Sequence, residues 1–112
     1  MTAHPVTPRV ITKISTDELR LDPRNPRLYN GKSFNDNSEE HELVKALSDH
    51  ADLDELIKSI SENGYLSIEP LVIIKYKGDD KFTVLEGNRR LAALKILKSP
   101  ELAKKCRIVI PK

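Results

Sequence analysis

A chain of 112 residues with 38% hydrophobic and 32% charged side chains has room for one compact domain with a modest core. A single cysteine, Cys106, excludes an intramolecular disulfide and fits a reducing, cytoplasmic setting. No apolar run approaches membrane-spanning length, and the opening MTAHPVTPRV lacks the apolar core of a secretory signal. The net charge of +2 hides an asymmetry along the chain. Between Glu39 and Glu69 the acids Glu39, Glu40, Glu42, Asp49, Asp52, Asp54, Glu55, Glu62 and Glu69 outweigh Lys45 and Lys58. After Glu86 the cations Arg89, Arg90, Lys95, Lys98, Lys104, Lys105, Arg107 and Lys112 face only Glu101. One acidic face and one basic face are expected, the basic one suited to phosphates or serving simply as solvated surface.

Residues 1–13, with Pro5 and Pro8 and no periodicity, read as a loose N-terminal tail, and residues 14–112 as the folded domain. RVITKISTDELRLD, Arg9 to Asp22, mixes β-branched and polar residues as one or two strands do. The following DPRNPRLYNGKSFNDNS is rich in Pro, Gly, Asn and Asp and predicts a loop. A helix is expected from Ser38, with Glu39 and Glu40 in its first turn and Leu43, Val44 and Leu47 as its apolar stripe. DLDELIKSISENG is the clearest helix. Asp52 and Glu55 stand at capping-box spacing, Leu53, Leu56, Ile57 and Ile60 share a face, and Gly64 supplies a left-handed stop.

PLVIIKYK and KFTVLE are strand-like runs joined by GDD in a hairpin-like connection. RRLAALKILK reads as a helix with Leu91, Leu94 and Leu97 along one face, after which Ser99-Pro100 ends it or caps a further short turn. RIVIP, from Arg107, reads as a last strand. The pattern predicts an α+β domain, a small mixed β-sheet packed by helices, with a crossover between parallel strands running from KFTVLE through the helix to RIVIP.

TVLEGNRRLAAL, Thr83 to Leu94, carries the most chemistry. A helix N-terminus presents unpaired N–H groups and partial positive charge, so it favours acids, yet here Arg89 and Arg90 occupy the first turn. In a protein without ligand each cation there costs about 0.3 to 1 kcal/mol. A bound phosphate reverses the sign: Gly87 permits close approach, Asn88 tolerates unusual backbone angles or caps the helix, and the two guanidinium groups suit phosphate oxygens. The alternative is that both arginines point into water or pair with Glu86 and the acidic face. Glu86 beside such a turn would need a Mg²⁺ ion, a substrate hydroxyl or an attacking water to reconcile it with phosphates, or an arginine partner; Glu69 has the same two readings. His4, His41, His50 and Cys106 form no metal-ligand spacing, and no Ser-His-Asp signature is present. Cys106 is expected in the core. The few, scattered aromatics do not make a base-stacking platform.

The order NPR, DELIKSISENGYLSIEPLVI, VLEGNRRLAALKIL, RIVIP resembles the N-terminal domain of ParB, the chromosome and plasmid partition protein, within the ParB/sulfiredoxin superfamily. LEGNRRLAAL is similar to that family's second box and SISENG with EPLVI to its first. The resemblance implies a nucleotide-binding ParB/sulfiredoxin-like fold that takes CTP, with Gly87, Asn88, Arg89 and Arg90 on the triphosphate. It further implies that Arg27, in Asn25-Pro26-Arg27, lies by the same pocket and that the Gly64 region lines the base or sugar side. The chain departs from the family pattern at Asn88, where Glu is usual, and at Glu69-Pro70, which replaces Gln-Pro and arrives two residues late. The helix-turn-helix that follows in ParB is not in this sequence. A sulfiredoxin-type cysteine would stand where Asn88 is, which excludes that chemistry.

The expectation is therefore a domain of a longer, DNA-associated protein that binds a nucleoside triphosphate, with Mg²⁺ where charge must be offset. DNA would be reached through attached sequences, and a homodimer is an expected partner state. The superfamily also includes a kinase of free serine, so an alternative is a phosphotransferase or nuclease using Glu86 and Glu69, its site completed elsewhere. A further alternative is an interaction domain that has lost the ligand.

Overall fold

Both edges of one central strand are occupied, and this arrangement fixes the rest of the domain. The computed structural model describes residues 14–29, 31–50, 53–64 and 71–110. Strand β1 (Leu19–Leu21) and strand β2 (Val72–Ile74) flank strand β3 (Phe82–Glu86) in a three-stranded sheet of order β1-β3-β2. β1 runs parallel to β3, with Leu19 opposite Phe82 and Leu21 opposite Val84. β2 runs antiparallel to β3, with a bulge between Val72 and Ile73. The β2–β3 connection turns where Asp79 N–H donates to Tyr76 C=O at 3.0 Å, the GDD hairpin that the sequence announces.

Among the described residues, four α-helices complete the α+β fold: α1 (Glu40–His50), α2 (Leu53–Asn63), α3 (Asn88–Lys98) and α4 (Pro100–Lys105). Side chains alternate across a strand, so Leu19, Leu21 and Val84 are buried on the helix side of the sheet. They meet Leu43, Val44 and Leu47 of α1, Leu53 and Ile57 of α2, and Leu91 and Ile96 of α3. Each such fully buried aliphatic side chain contributes about 1.5 to 3 kcal/mol relative to exposure. The α1 stripe is thus the one the sequence predicts, and Gly64, at φ +77°, closes α2 with its N–H donating to Ile60 C=O at 2.7 Å. Asp52, the expected N-cap of α2, lies outside the described residues, as does the N-terminal tail.

Three expectations give way. RIVIP forms no strand over the described residues 107–110. After α4 the chain turns at Arg107, φ 58°, where Ile108 N–H donates back to Ala103 C=O at 2.9 Å, and Ile108 and Ile110 pack on the core as unpaired chain. The reason is topological: β1 already holds the parallel edge of β3, so the parallel connection runs from β1 through α1 and α2, not from β3 to RIVIP. Secondly, α3 has no single apolar face. Asn88, Leu91, Ala92, Ala93, Lys95 and Ile96 are buried while Leu94 and Leu97 are half-buried, because α3 packs against β1, β3, α2 and α4 together.

The third correction concerns charge. Lys95 belongs to no basic face: it is buried, its Nζ donating to Thr16 C=O at 2.9 Å and lying 2.8 Å from a Glu40 carboxylate oxygen. Lys98 Nζ lies 3.9 Å from Asp17. Part of the acidic and basic halves therefore meets across the fold. Cys106 is in the core as expected, its Sγ donating to His41 C=O at 3.5 Å, and burial raises its thiol pKa.

Candidate functional site

Because β1 and β3 are parallel, their C-terminal ends emerge at one edge of the sheet, and the segments that follow them are neighbours. β3 enters α3 through Gly87, which takes φ 98°, ψ 20° at the N-cap position. This left-handed backbone disfavours any L side chain, and a Cβ there would collide with Leu71 Cδ2 and stand 3.1 Å from Arg90 Nη2. The Arg90 guanidinium therefore folds back over the turn. Gly87 has no side chain with which to cap the helix, and the first helical bond is the one from Leu91 N–H to Gly87 C=O at 2.9 Å. The N–H groups of Asn88 and Arg89 precede that bond, and no acid occupies the first turn. Arg89 is exposed.

Asn88 does something other than what the sequence suggests. It is 3% exposed; its Nδ2 donates to Val84 C=O at 2.8 Å and its Oδ1 accepts from Asp22 N–H at 2.8 Å. The amide therefore joins the turn to the end of β1, and only the backbone N–H of Asn88 is left to face a ligand. Gly87, not Asn88, adopts the unusual backbone angles.

Asp22 begins the loop that carries Asn25-Pro26-Arg27. Its backbone carbonyl accepts the hydroxyl of the fully buried Tyr29, and its carboxylate accepts Arg24 N–H at 3.0 Å. Desolvation raises the phenol pKa of Tyr29, so the hydroxyl stays a donor throughout the neutral range. Asn25 adds two more ties, its Oδ1 accepting Arg27 N–H and its carbonyl accepting Leu28 N–H, both at 3.1 Å. Residues 22–29 are thus held as one loop beside the turn, with Arg27 exposed upon it.

Arg20 and Arg24 bond within the fold. Arg20 Nε donates to the buried Thr83 hydroxyl at 2.9 Å, and its Nη2 lies 3.5 Å from Asp36 and 3.6 Å from Asp79. Arg24 bonds Asp36 at 2.7 Å, which raises its pKa further, and stands over the Tyr76 ring at 4.7 Å. Glu86, the last residue of β3, is exposed, and among the described residues no ion pair joins it to Arg89 or Arg90.

Of the predicted site residues, the structure brings together Gly87, Asn88, Arg89 and Arg90, sets Glu86 immediately before them, and ties the loop of Arg27 to them through Asn88. Gly64 is placed at the end of α2 as a helix stop, and Glu69 lies outside the described residues. Among the described residues no three His, Cys, Asp or Glu side chains cluster as metal ligands, and no helix is long and apolar enough to cross a membrane. Sequence reasoning missed Asp22, Tyr29 and Lys95. Asp22 had a signal in the Asp-Pro-Arg-Asn-Pro run, where Asp and Asn side chains bond the backbone two residues on. The deep burial of Tyr29 and Lys95 had none.

Comparison with known proteins identifies a family. The ParB N-terminal domain matches residues 37–110, well over half of the chain. That stretch holds α1 to α4, β2, β3 and the Gly87 turn, and it leaves out β1 and the loop of Arg27. No curated protein and no solved structure matches.

Proposed function

The chain belongs to the ParB N-terminal domain family, and from that premise we propose that it binds a nucleoside triphosphate through the Gly87 turn, as a module of a DNA-associated protein. One observation carries this reading: α3 begins without a side-chain cap and without an acid, at a glycine whose conformation excludes a side chain, with two arginines in its first turn. A helix end of this kind is stabilised by an anion that accepts its N–H groups, and phosphate oxygens also match the guanidinium fork. The turn sits at the C-terminal edge of parallel strands, where open sheets receive ligands. Arg27, on the adjoining loop, is the further candidate for the phosphates. CTP is the nucleotide that the family likeness suggests. DNA contact through attached sequences, a homodimer and a cytoplasmic setting belong to the same proposal.

A Mg²⁺ ion fits only in a limited way. With no cluster of three ligating side chains among the described residues, it would be held through phosphate oxygens, with Glu86 as the carboxylate adjoining the turn. Its contribution would be to offset charge between Glu86 and the phosphates.

The test is a thermal-shift series with CTP, ATP, GTP, UTP, their diphosphates and inorganic tripolyphosphate, with and without Mg²⁺. A ligand at a hundred times its dissociation constant stabilises the folded state by about 2.7 kcal/mol, a readily measured shift. If none of these compounds moves the melting temperature, the reading fails and an interaction domain without ligand takes its place. The exposed Glu86, not joined to the neighbouring arginines, favours phosphoryl transfer as the second reading. Glu86→Gln should then abolish turnover and leave binding intact; a parent protein with no turnover, tested with its native flanking sequence, rules that reading out.

A further inference from the structure

The buried Asn88 amide makes the phosphate turn and the loop of Arg27 a single mechanical unit. We propose that Asn88, together with Asp22 and Tyr29, is a positioning device that holds Arg27 in the geometry needed to contact a ligand at the Gly87 turn. The inference deepens the nucleotide reading and rests on it.

Asn88 is the first residue of α3, so its backbone moves with the N–H groups that would meet phosphate. Its Nδ2 is fixed on Val84 C=O and its Oδ1 on Asp22 N–H, both at 2.8 Å, and the Asn88 residue itself is buried. Asp22 is gripped from its other side by the Tyr29 hydroxyl on its carbonyl. Tyr29 closes the same loop that Asp22 opens, and Arg27 lies within the 3-10 turn Pro26–Tyr29. Thus the backbone of one residue, Asp22, takes a hydrogen bond on its carbonyl from the far end of its own loop and gives one from its N–H to α3.

Such an arrangement exceeds what strand pairing requires, since β1 and β3 are already in register over Leu19 to Leu21. It transmits position: a displacement of the turn is a displacement of Asp22, and through Tyr29 of the 3-10 turn bearing Arg27. An exposed arginine on an untethered loop loses much of its binding gain to the entropy of ordering it, whereas one on a pre-fixed loop does not. Asn88 and Tyr29 touch no ligand atom with their side chains in this account; they act through Arg27.

The experiment is a double-variant cycle read as affinity for inorganic tripolyphosphate by calorimetry, using Arg27→Ala, Tyr29→Phe and the pair. Tyr29→Phe keeps the buried ring and removes only the hydroxyl bond to Asp22, so it is expected to fold, which its melting curve verifies. In the parent, Arg27→Ala should weaken binding about tenfold, the scale of one charge-assisted hydrogen bond. In the Tyr29→Phe background the same change should weaken it less than about twofold. A merely structural role for Tyr29 would lower the melting temperature and leave the Arg27 effect at tenfold, and that result overturns the proposal, as does an Arg27→Ala variant that binds like the parent. Asn88→Ala is the second variant, predicted to erase the Arg27 effect in the same way. A parent that binds neither tripolyphosphate nor any nucleotide removes the underlying reading as well, which distinguishes that failure from the failure of the positioning device alone.

Discussion

Helices α3 and α4 follow one another in the chain, yet their N-termini are built on opposite principles. α4 has Ser99 as its cap, with Oγ accepting Leu102 N–H at 3.2 Å, Pro100 at its first position and Glu101 in its first turn. Each of those choices satisfies orphan N–H groups or complements the positive end of the helix. α3 has none of them: a glycine at the cap, a buried Asn turned away toward Val84 and Asp22, then Arg89 and Arg90. Among the described residues, a six-residue helix is capped thoroughly and an eleven-residue one has no side-chain cap. An end that stability alone had shaped would look like α4; the end of α3 has instead the features that suit an anion, as the proposed function requires.

The comparison breaks most sharply at Gly87. Gly87→Ala should destabilise by roughly 2 to 5 kcal/mol, combining left-handed backbone strain with a collision against Leu71, as read by urea denaturation. A variant of parental stability would show that the turn is not held at φ 98° and that the open geometry of α3 is not built in.

A smaller effect separates the two ends of α3 itself. Lys95, in the last turn, sits where the helix favours a cation and is bonded to Glu40 and Thr16. Lys95→Ala should cost about 1 to 3 kcal/mol, since it removes charge-assisted bonds from a nearly buried group, and should leave tripolyphosphate affinity unchanged. If affinity falls instead, cations along α3 act as a diffuse field, and the turn is not a distinct site. Smaller again, Ser99→Ala should cost about 1 kcal/mol through loss of the α4 cap, with no change in ligand binding. A melting temperature equal to the parent's would mean that the α4 cap contributes nothing and that the contrast with α3 is one of appearance.

What could be read in the sequence follows the same division. α1 and α2 were legible because each lies on the surface of the core and shows one apolar stripe, Leu43, Val44 and Leu47 or Leu53 and Ile57. Gly64 was legible as a helix stop because its positive φ leaves few alternatives, whereas the left-handed backbone of the turn was expected at Asn88 and lies at Gly87. α3 was legible as a helix but not in its orientation: enclosed on several sides, it buries Lys95 and Ala92 as readily as Leu91, and periodicity has nothing to report. RIVIP has the β-branched run of a strand, but β1 and β2 hold both edges of β3, so the crossover expected from β3 to a parallel neighbour has no place beside it. In the candidate site, the turn and its arginines were visible from local chemistry. The duty of Asn88 was not, since it depends on Asp22, 66 residues away.

The most direct measurement is on Arg89, the exposed cation of the open helix end, through the substitution Arg89→Glu. Without ligand the variant should melt higher than the parent, by about 1 kcal/mol, because an acid replaces a cation at the positive end of α3. With nucleotide or tripolyphosphate at a hundred times the parent's dissociation constant, the parent should gain about 2.7 kcal/mol and the variant almost nothing. Stabilisation of the empty protein together with loss of the ligand effect is the predicted result. An Arg89→Glu protein that melts below the parent without ligand, or that keeps the full ligand-induced shift, would contradict the claim that this helix end is left open for phosphate.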